Sequence, residues 1–263
     1  MELPDLAFIT AIARQAGALL KDGYGRQHTI GHKGRINLVT EMDRASEELI
    51  IGAIQARYPG HTIIAEESGL SSGSQQHCWY IDPLDGTSNY AHAIPLYAVS
   101  IAYAYQGERV LAVTYDPCLD ECFSAEKGKG AQLNGKLIHV SETADLVNAV
   151  LVTGFPYDLD QRANNNIDNF TSLSMRAQSI RRLGSAVIDL TWVAAGRLDG
   201  YWELGMGPYD IAAGTLIIEE AGGMVTCLDG NPDYFNPPYA LITANPVLLP
   251  KMRAGLKNSS PAA

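Results

Sequence analysis

The first residues of the chain alternate apolar and polar positions at the spacing of a helix. Apolar side chains recur every three or four positions from Leu6 to Leu20, and polar ones such as Arg14 lie between them. This pattern predicts an amphipathic surface helix over residues 4–23, and a second helix is expected over 42–58. The apolar stretches fall short of the roughly 20 residues needed to cross a bilayer, so we expect a soluble protein without a signal peptide.

Strand-like segments dominate the middle of the sequence. β-branched and aromatic residues are frequent over residues 96–140, and Asn134-Gly135 is a typical hairpin turn. Because no helical pattern separates these strands, we expect an antiparallel sheet. Two earlier strands are expected to end at acidic residues, one over 62–65 just before Glu66 and one at Asp82.

Beyond about residue 145 the pattern changes to an alternation of strands and helices. Helices are predicted at 161–176, 185–196, 209–221 and 246–257, and strands at 149–153, 198–202, 225–227 and 240–243. We therefore divide the chain into an N-terminal half, 1–145, with helices and an antiparallel sheet, and a C-terminal α/β half, 146–263. No Pro- or Ser-rich linker separates them, which favours a fixed interface with a cleft. Residues 258–263 are expected to form a frayed tail.

The composition is acidic, with 29 Asp and Glu residues against 19 Lys and Arg and a formal charge of −10. This balance argues against a nucleic-acid-binding surface. A short basic loop over residues 31–35 is expected to be flexible. The four cysteines do not form a disulfide framework, and Cys118-x3-Cys122 lacks the second ligand pair of a zinc site. We therefore expect reduced thiols and a cytoplasmic location.

The segment from Tyr80 to Tyr90, YIDPLDGTSNY, carries the most chemistry. An apolar strand ends in Asp82 and Asp85, with the rigid Pro83 between them and the permissive Gly86 just beyond. Carboxylates at a strand end, followed by free amides and hydroxyls, form a cradle for divalent cations and a phosphate. The alternative is an ordinary Asp-Gly turn between strands.

Three segments together resemble the signatures of the inositol monophosphatase family. They are Glu66-Glu67-Ser68, Asp82-Pro-Leu-Asp-Gly-Thr-Ser-Asn89 and Tyr209-Asp210-Ile-Ala-Ala-Gly214, and their order and spacing agree with the family's. The resemblance runs over nearly the whole chain. It implies a layered α+β / α/β fold, the αβαβα sandwich of the sugar-phosphatase type. It also implies a lithium-sensitive, Mg²⁺-dependent phosphatase, and family members are usually homodimers.

The resemblance assigns metal ligands. They would be Glu66, Asp82, Asp85, Asp210 and the backbone carbonyl of Leu84, holding two or three Mg²⁺ ions. Mg²⁺ prefers hard oxygen ligands, and two ions can stabilise the attacking and leaving oxygens of an in-line displacement. The alternatives are a surface carboxylate at Glu66 and a helix N-cap at Asp210.

In the same resemblance Thr87 and Asp43 would be the catalytic pair. Thr87 would act with Asp43 to orient and deprotonate the attacking water, because a hydroxyl can accept a proton while it donates its own. The backbone amides of Gly86 and Thr87 would hold the phosphate. The alternatives are an N-terminal helix cap at Asp43 and a turn cap at Thr87.

Substrate choice is expected to depend on the C-terminal half. Gly184-Ser185-Ala186 resembles the family segment that contacts the sugar ring, and Glu203 matches a carboxylate that accepts hydrogen bonds from ring hydroxyls. The alternative for Glu203 is a solvated charge. Tyr209 stands where many members have Trp, and Arg181-Arg182 would lie on a dimer surface or reach a second phosphate. The expected substrate-binding residues are Asp85, Gly86, Thr87, Gly184, Ser185, Ala186, Glu203 and Asp210.

The resemblance favours the hydrolysis of myo-inositol monophosphate. Fructose 1,6-bisphosphate, histidinol phosphate and a 3′-phosphonucleotide are alternative substrates for the same chemistry. A hypothesis of another class is a regulatory or RNA-associated protein that uses the fold as a binding module. The intact set of acidic site residues argues against a protein without catalytic activity, and the negative net charge argues against a nucleic-acid partner. We therefore expect a small phosphorylated polyol or sugar as the partner, and neither nucleic acid nor membrane.

Overall fold

The computed structural model describes residues 3–33 and 37–257. Part of the predicted basic loop, residues 34–36, and the predicted tail, residues 258–263, lie outside the described residues. Within the described ranges, no helix combines the length and apolar character needed to cross a membrane.

Two helices open the chain where the apolar periodicity predicts them. The first elements are α1 (Leu6–Gly23), β1 (Ile30–His32), β2 (Leu38–Thr40) and α2 (Glu41–Arg57). The Asp5 carboxylate accepts the Phe8 amide at 2.7 Å and so satisfies one of the free donors at the start of α1. Strands β1 and β2 pair antiparallel and connect the two helices.

A sheet of eight described strands follows α2. Its strands are β3 (His61–Ala65), β4 (Gly69–Ser71), β5 (Ser74–Asp85), β6 (Ala98–Tyr105), β7 (Glu108–Asp116), β8 (Glu121–Glu126), β9 (Ala131–Leu133) and β10 (Lys136–Leu137). Their order is β10-β9-β8-β7-β6-β5-β3-β4. Neighbours from β5 to β10 pair antiparallel, as predicted for residues 96–140, whereas β3 and β5 pair parallel. The short helix α3 (Thr87–Ala91) follows β5.

A second sheet, of five described strands, is formed by the later residues. Its strands are β11 (Val150–Thr153), β12 (Ser179–Arg181), β13 (Gly200–Glu203), β14 (Met224–Thr226) and β15 (Leu241–Ala244). A 3₁₀ turn (Leu146–Asn148) precedes them, and the helices are α4 (Ile167–Ser174), α5 (Ala186–Ala194), α6 (Pro208–Glu220) and α7 (Leu249–Gly255). The order is β12-β11-β13-β15-β14, with β11 parallel to β12 and β13 and the other pairs antiparallel.

These elements stack in five layers. Helices α1 and α2 cover one face of the first sheet, and α5 and α6 fill the space between the two sheets. Helices α4 and α7 cover the outer face of the second sheet. Successive strand residues point to opposite faces, so Tyr201 packs in the central layer and Trp202 in the outer one. The layers give the αβαβα order expected from the sequence.

The helix predicted over 161–176 begins later than expected. Asn166 has a left-handed backbone conformation, with φ of 74°, and α4 starts only at the next residue. The Asn166 side chain is buried, where it accepts the Trp202 Nε1 proton at 2.6 Å and donates to the Gly154 carbonyl at 2.7 Å. Its tertiary hydrogen bonds thus replace the first turns of the predicted helix.

Candidate active site

One cleft of about 280 Å³ brings together most of the predicted site residues. The ends of β5 and β13 and the first turns of α3, α5 and α6 surround it. The predicted residues that line it are Glu66, Asp82, Leu84, Asp85, Gly86, Thr87, Gly184, Ser185, Ala186, Glu203 and Asp210. Asp43 is not among the described residues that line the cleft, but it accepts a hydrogen bond from Thr87, which is.

Three carboxylates converge in this cleft. One oxygen from each of Asp82, Asp85 and Asp210 lies within 4.8 Å of the others. Residues three apart on a regular strand point to opposite faces, but the β5–β6 register shifts between Asp82 and Asp85. This bulge redirects one side chain so that both reach the same space. Asp210 joins them from the first turn of α6, where it accepts the Gly207 amide at 2.6 Å.

The electrostatics of this group favour a divalent cation. Burial raises the pKa of Asp82 and of Asp210 well above the ordinary value, and repulsion from the neighbouring carboxylates raises them further. Bound cations would relieve this repulsion. The donors are hard oxygens, which Mg²⁺ prefers. The residues therefore fit the Mg²⁺ that the sequence predicts.

Glu66 follows β3 and lies at the edge of the acidic group. Its Oε1 accepts a hydrogen bond from Lys33 Nζ at 2.9 Å, and Lys33 also contacts Glu67. Burial raises the pKa of Glu66, and Lys33 opposes this effect. The sequence analysis did not anticipate this pairing, because Lys33 belongs to a hairpin distant along the chain.

The Thr87–Asp43 pair is formed. Thr87 Oγ1 lies 2.9 Å from Asp43 Oδ1, and Asp43 Oδ2 accepts the Thr40 amide at 2.8 Å and the Thr40 hydroxyl at 2.7 Å. Asp43 is completely buried, and this burial raises its pKa. The capping alternative is also present, since Asp43 is the third residue of α2 and forms a capping box with Thr40. One carboxylate thus caps the helix and binds the Thr87 hydroxyl.

Asp85 is held by groups from α5. Its Oδ2 accepts the Ser185 hydroxyl and the Val187 amide, the latter at 2.8 Å. Gly86 follows with φ of 88°, and an added Cβ would lie 2.8 Å from the Leu96 carbonyl oxygen. Only glycine fits this turn without strain.

Glu203 is not a solvated charge. Its Oε2 accepts the Tyr201 hydroxyl at 2.5 Å, and its carboxylate packs against the backbone of Gly154, where a side chain would collide with it. Burial raises the pKa of Glu203 to about 7. The carboxylate therefore lines the cleft while the Tyr201 hydroxyl and the Gly154 backbone hold it in place.

Sequence reasoning missed several residues of the cleft. Tyr157 and Asn37 line it from loops and carried no signal. Asp189 on α5 also lines the cleft. It lies four residues after Ser185, and residues four apart share a helix face, so its position could have been predicted from that of Ser185. Arg182, for which the sequence analysis offered a dimer surface or a second phosphate, also lines the cleft.

Comparisons with known proteins decide the family. Residues 3–260 match the model of the inositol monophosphatase family. This chain belongs to that family. Relatives include the inositol-1-monophosphatase of Synechocystis sp., 46% identical over 229 residues that cover 86% of this chain and 80% of the relative. Nus factor SuhB of Escherichia coli is 41% identical over 258 residues, 97% of this chain and 96% of the relative.

The fold of the family is also shared. The structure of inositol monophosphatase from Anabaena superposes with a TM-score of 0.87 at 39% identity, covering 97% of this chain and 96% of that one. The predicted family and the predicted layered fold are therefore both confirmed.

Proposed function

We propose that this chain hydrolyses a phosphate monoester with the help of Mg²⁺, and that its substrate is myo-inositol monophosphate. The observation that carries the proposal is the convergence of Asp82, Asp85 and Asp210 beside the buried Thr87–Asp43 pair. We assign the metal-ligand role to these three carboxylates, the Leu84 carbonyl and Glu66, with two or three ions. When bound, Mg²⁺ would supply positive charge to the attacking and leaving oxygens.

The proton transfer follows from the hydrogen bonds around Thr87. Its hydroxyl donates to Asp43 Oδ1, so an oxygen lone pair is left to accept a proton from water. That proton arrives at Thr87 Oγ1 while the Thr87 proton moves to Asp43. Burial raises the pKa of Asp43, which makes it a better proton acceptor than a solvated aspartate. The water oxygen bonds to phosphorus, the ester P–O bond breaks, and the released polyol oxygen takes up a proton from a solvent water.

The rest of the cleft would bind the substrate. We assign the phosphate to the Gly86 and Thr87 amides, and the polyol ring to Glu203 and the 184–186 segment. Support comes from the cleft position of these residues and from the Tyr201 and Gly154 contacts that fix the Glu203 carboxylate. A site built to bond hydroxyls discriminates against ligands that lack them.

A substrate panel tests this choice. The ratio kcat/KM is measured with Mg²⁺ for inositol 1-phosphate, fructose 1,6-bisphosphate, histidinol phosphate and a 3′-phosphonucleotide. Fructose 1,6-bisphosphate is the main competitor, because Arg182 in the cleft could bind a second phosphate. A value at least tenfold higher for the bisphosphate would reject inositol monophosphate as the substrate.

A regulatory or RNA-associated binding role is the second candidate, because relatives 41% identical to this chain are named Nus factor SuhB. The discriminating variant is Asp85→Asn, which removes a proposed ligand. Full phosphatase activity in this variant would reject the mechanism above. RNA binding by the purified protein, measured with the wild type and Asp85→Asn, would favour the second role.

Several family properties are proposed as well. We infer a homodimer, lithium inhibition, a boundary between the two halves at residues 145–146, and a cytoplasmic location that suits four free cysteine thiols. Light scattering tests the oligomeric state, and a LiCl titration of the Mg²⁺-dependent activity tests the inhibition.

A further inference from the structure

Asp189 is a buried carboxyl that the proposed mechanism does not use. It lies on α5, is only 1% exposed and lines the cleft. Its Oδ1 has no hydrogen-bond partner among the described residues, whereas Asp82, Asp85 and Asp210 each accept a backbone amide. An unsatisfied buried oxygen costs folding free energy. A ligand hydroxyl in the cleft would supply the missing partner.

Asp189 lines the same cleft as Glu203, the residue assigned to the polyol ring, and as Arg182. Burial raises the pKa of Asp189 well above its ordinary value, repulsion from Glu203 and Asp85 raises it further, and Arg182 opposes the rise. A protonated carboxyl can donate as well as accept, which matches the donor and acceptor of a hydroxyl group.

We propose that Asp189 is a specificity-determining residue whose carboxyl hydrogen-bonds a second hydroxyl of the substrate, beside the hydroxyl bound by Glu203. The inference rests on the proposed phosphatase function and deepens it. The substrate class is a phosphorylated cyclic polyol with neighbouring hydroxyls. Simple phosphate esters lack the group that Asp189 binds.

A purely structural role is the rival explanation, because an acidic residue in the first turn of a helix interacts favourably with the helix dipole. Asp116 is a matched control. It is also buried and also has an unpartnered oxygen, Oδ2, but it lies at the end of β7 and does not line the cleft.

The experiment compares myo-inositol 1-phosphate with 4-nitrophenyl phosphate, using the full chain with Mg²⁺. For Asp189→Ala we expect KM for the inositol ester to rise at least tenfold, while kcat/KM for 4-nitrophenyl phosphate falls less than threefold. Asp189→Asn should recover most of the loss, because an amide still bonds a hydroxyl. Asp116→Ala should leave the ratio of the two kcat/KM values unchanged. Equal losses on both substrates, or an unchanged KM, would overturn the proposal.

Deoxy analogues of inositol 1-phosphate provide a second test if Asp189→Ala does not fold. Wild type should lose at least tenfold in kcat/KM on removal of one particular hydroxyl, and Asp189→Leu, which fills the space but cannot hydrogen-bond, should lose less for the same removal. Equal losses in the two proteins would overturn the role of Asp189. A wild type that hydrolyses 4-nitrophenyl phosphate without preferring a polyol ester overturns this inference and the choice of inositol monophosphate, but leaves the proposed Mg²⁺-dependent phosphomonoester hydrolysis standing. A wild type active on neither overturns the proposed function as well.

Discussion

Thr87→Val tests the proposed proton path most directly. Valine has the shape of threonine, so the variant removes the hydroxyl that lies 2.9 Å from Asp43 Oδ1 and leaves the packing of a side chain that is only 8% exposed. General acid–base groups contribute typically about 10²–10⁴-fold in rate. We therefore expect kcat to fall by about that factor, which corresponds to about 3–5 kcal/mol.

The loss of stability is expected to be much smaller. Asp43 Oδ1 loses its partner, which costs about 1–3 kcal/mol, but Oδ2 keeps both hydrogen bonds to Thr40. For a chain of this size, each kcal/mol lowers Tm by about 2–4 °C. The variant thus stays folded at 25 °C, and unfolding does not account for a hundredfold loss of kcat.

The assay is steady-state hydrolysis of inositol 1-phosphate at saturating Mg²⁺, with Tm measured in parallel. Thr87→Ser is the matched control, because it keeps the hydroxyl and should retain kcat within about tenfold. The proton path through Thr87 would be refuted by a Thr87→Val enzyme that retains more than a tenth of the wild-type kcat.

Three further predictions concern pH, charge and backbone. Because Glu203 has a pKa of about 7, KM for the inositol ester should fall between pH 6 and 8 as the carboxylate ionises, and Glu203→Gln should remove this dependence. The pKa values of Asp82 and Asp210 are raised in the folded protein, so the folded state holds extra protons. With EDTA, the free energy of unfolding should therefore fall as pH rises above about 4, and saturating Mg²⁺ should reduce that slope. Gly86→Ala should cost about 1–3 kcal/mol, measured by urea unfolding, because φ is 88° and the new Cβ would lie 2.8 Å from the Leu96 carbonyl oxygen.

Each of these has a result that contradicts it. The Glu203 prediction is contradicted if KM for the inositol ester changes with pH to the same extent in wild type and in Glu203→Gln. The prediction for Asp82 and Asp210 is contradicted if the free energy of unfolding, measured by chemical unfolding, changes with pH to the same extent with and without Mg²⁺. The Gly86 prediction is contradicted if Gly86→Ala is as stable as wild type. Gly107→Ala is the control, because Gly107 also has a positive φ but a Cβ added there would meet no neighbour within 4 Å.

Much of the candidate site was accessible from sequence because its residues are close together along the chain. Asp82, Asp85 and Thr87 lie within six positions, and the chemistry of phosphate and Mg²⁺ admits few residue types there. The helical and strand periods likewise indicated most of the elements, whereas the layered order was implied by the family resemblance.

What sequence could not supply depends on distant contacts. The Lys33–Glu66 pair joins residues 33 positions apart, and no local pattern indicates it. Asn166 reads as part of a polar helix, yet its side chain is buried against Trp202. The helix period could have placed Asp189 beside Ser185, but only the tertiary structure shows that its carboxyl is buried at the cleft. In each case a tertiary contact overrides a local preference.

The way Asp85 is held has a consequence for protein synthesis. Its hydrogen-bond donors come from α5, about a hundred residues later, and Asp210 comes later still. A nascent chain that has emerged only as far as β10 therefore carries Asp82 and Asp85 without the groups that complete their surroundings. The Mg²⁺ site proposed for these carboxylates would then be completed late in biogenesis, which would limit the time in which a half-made polypeptide can trap the wrong ion.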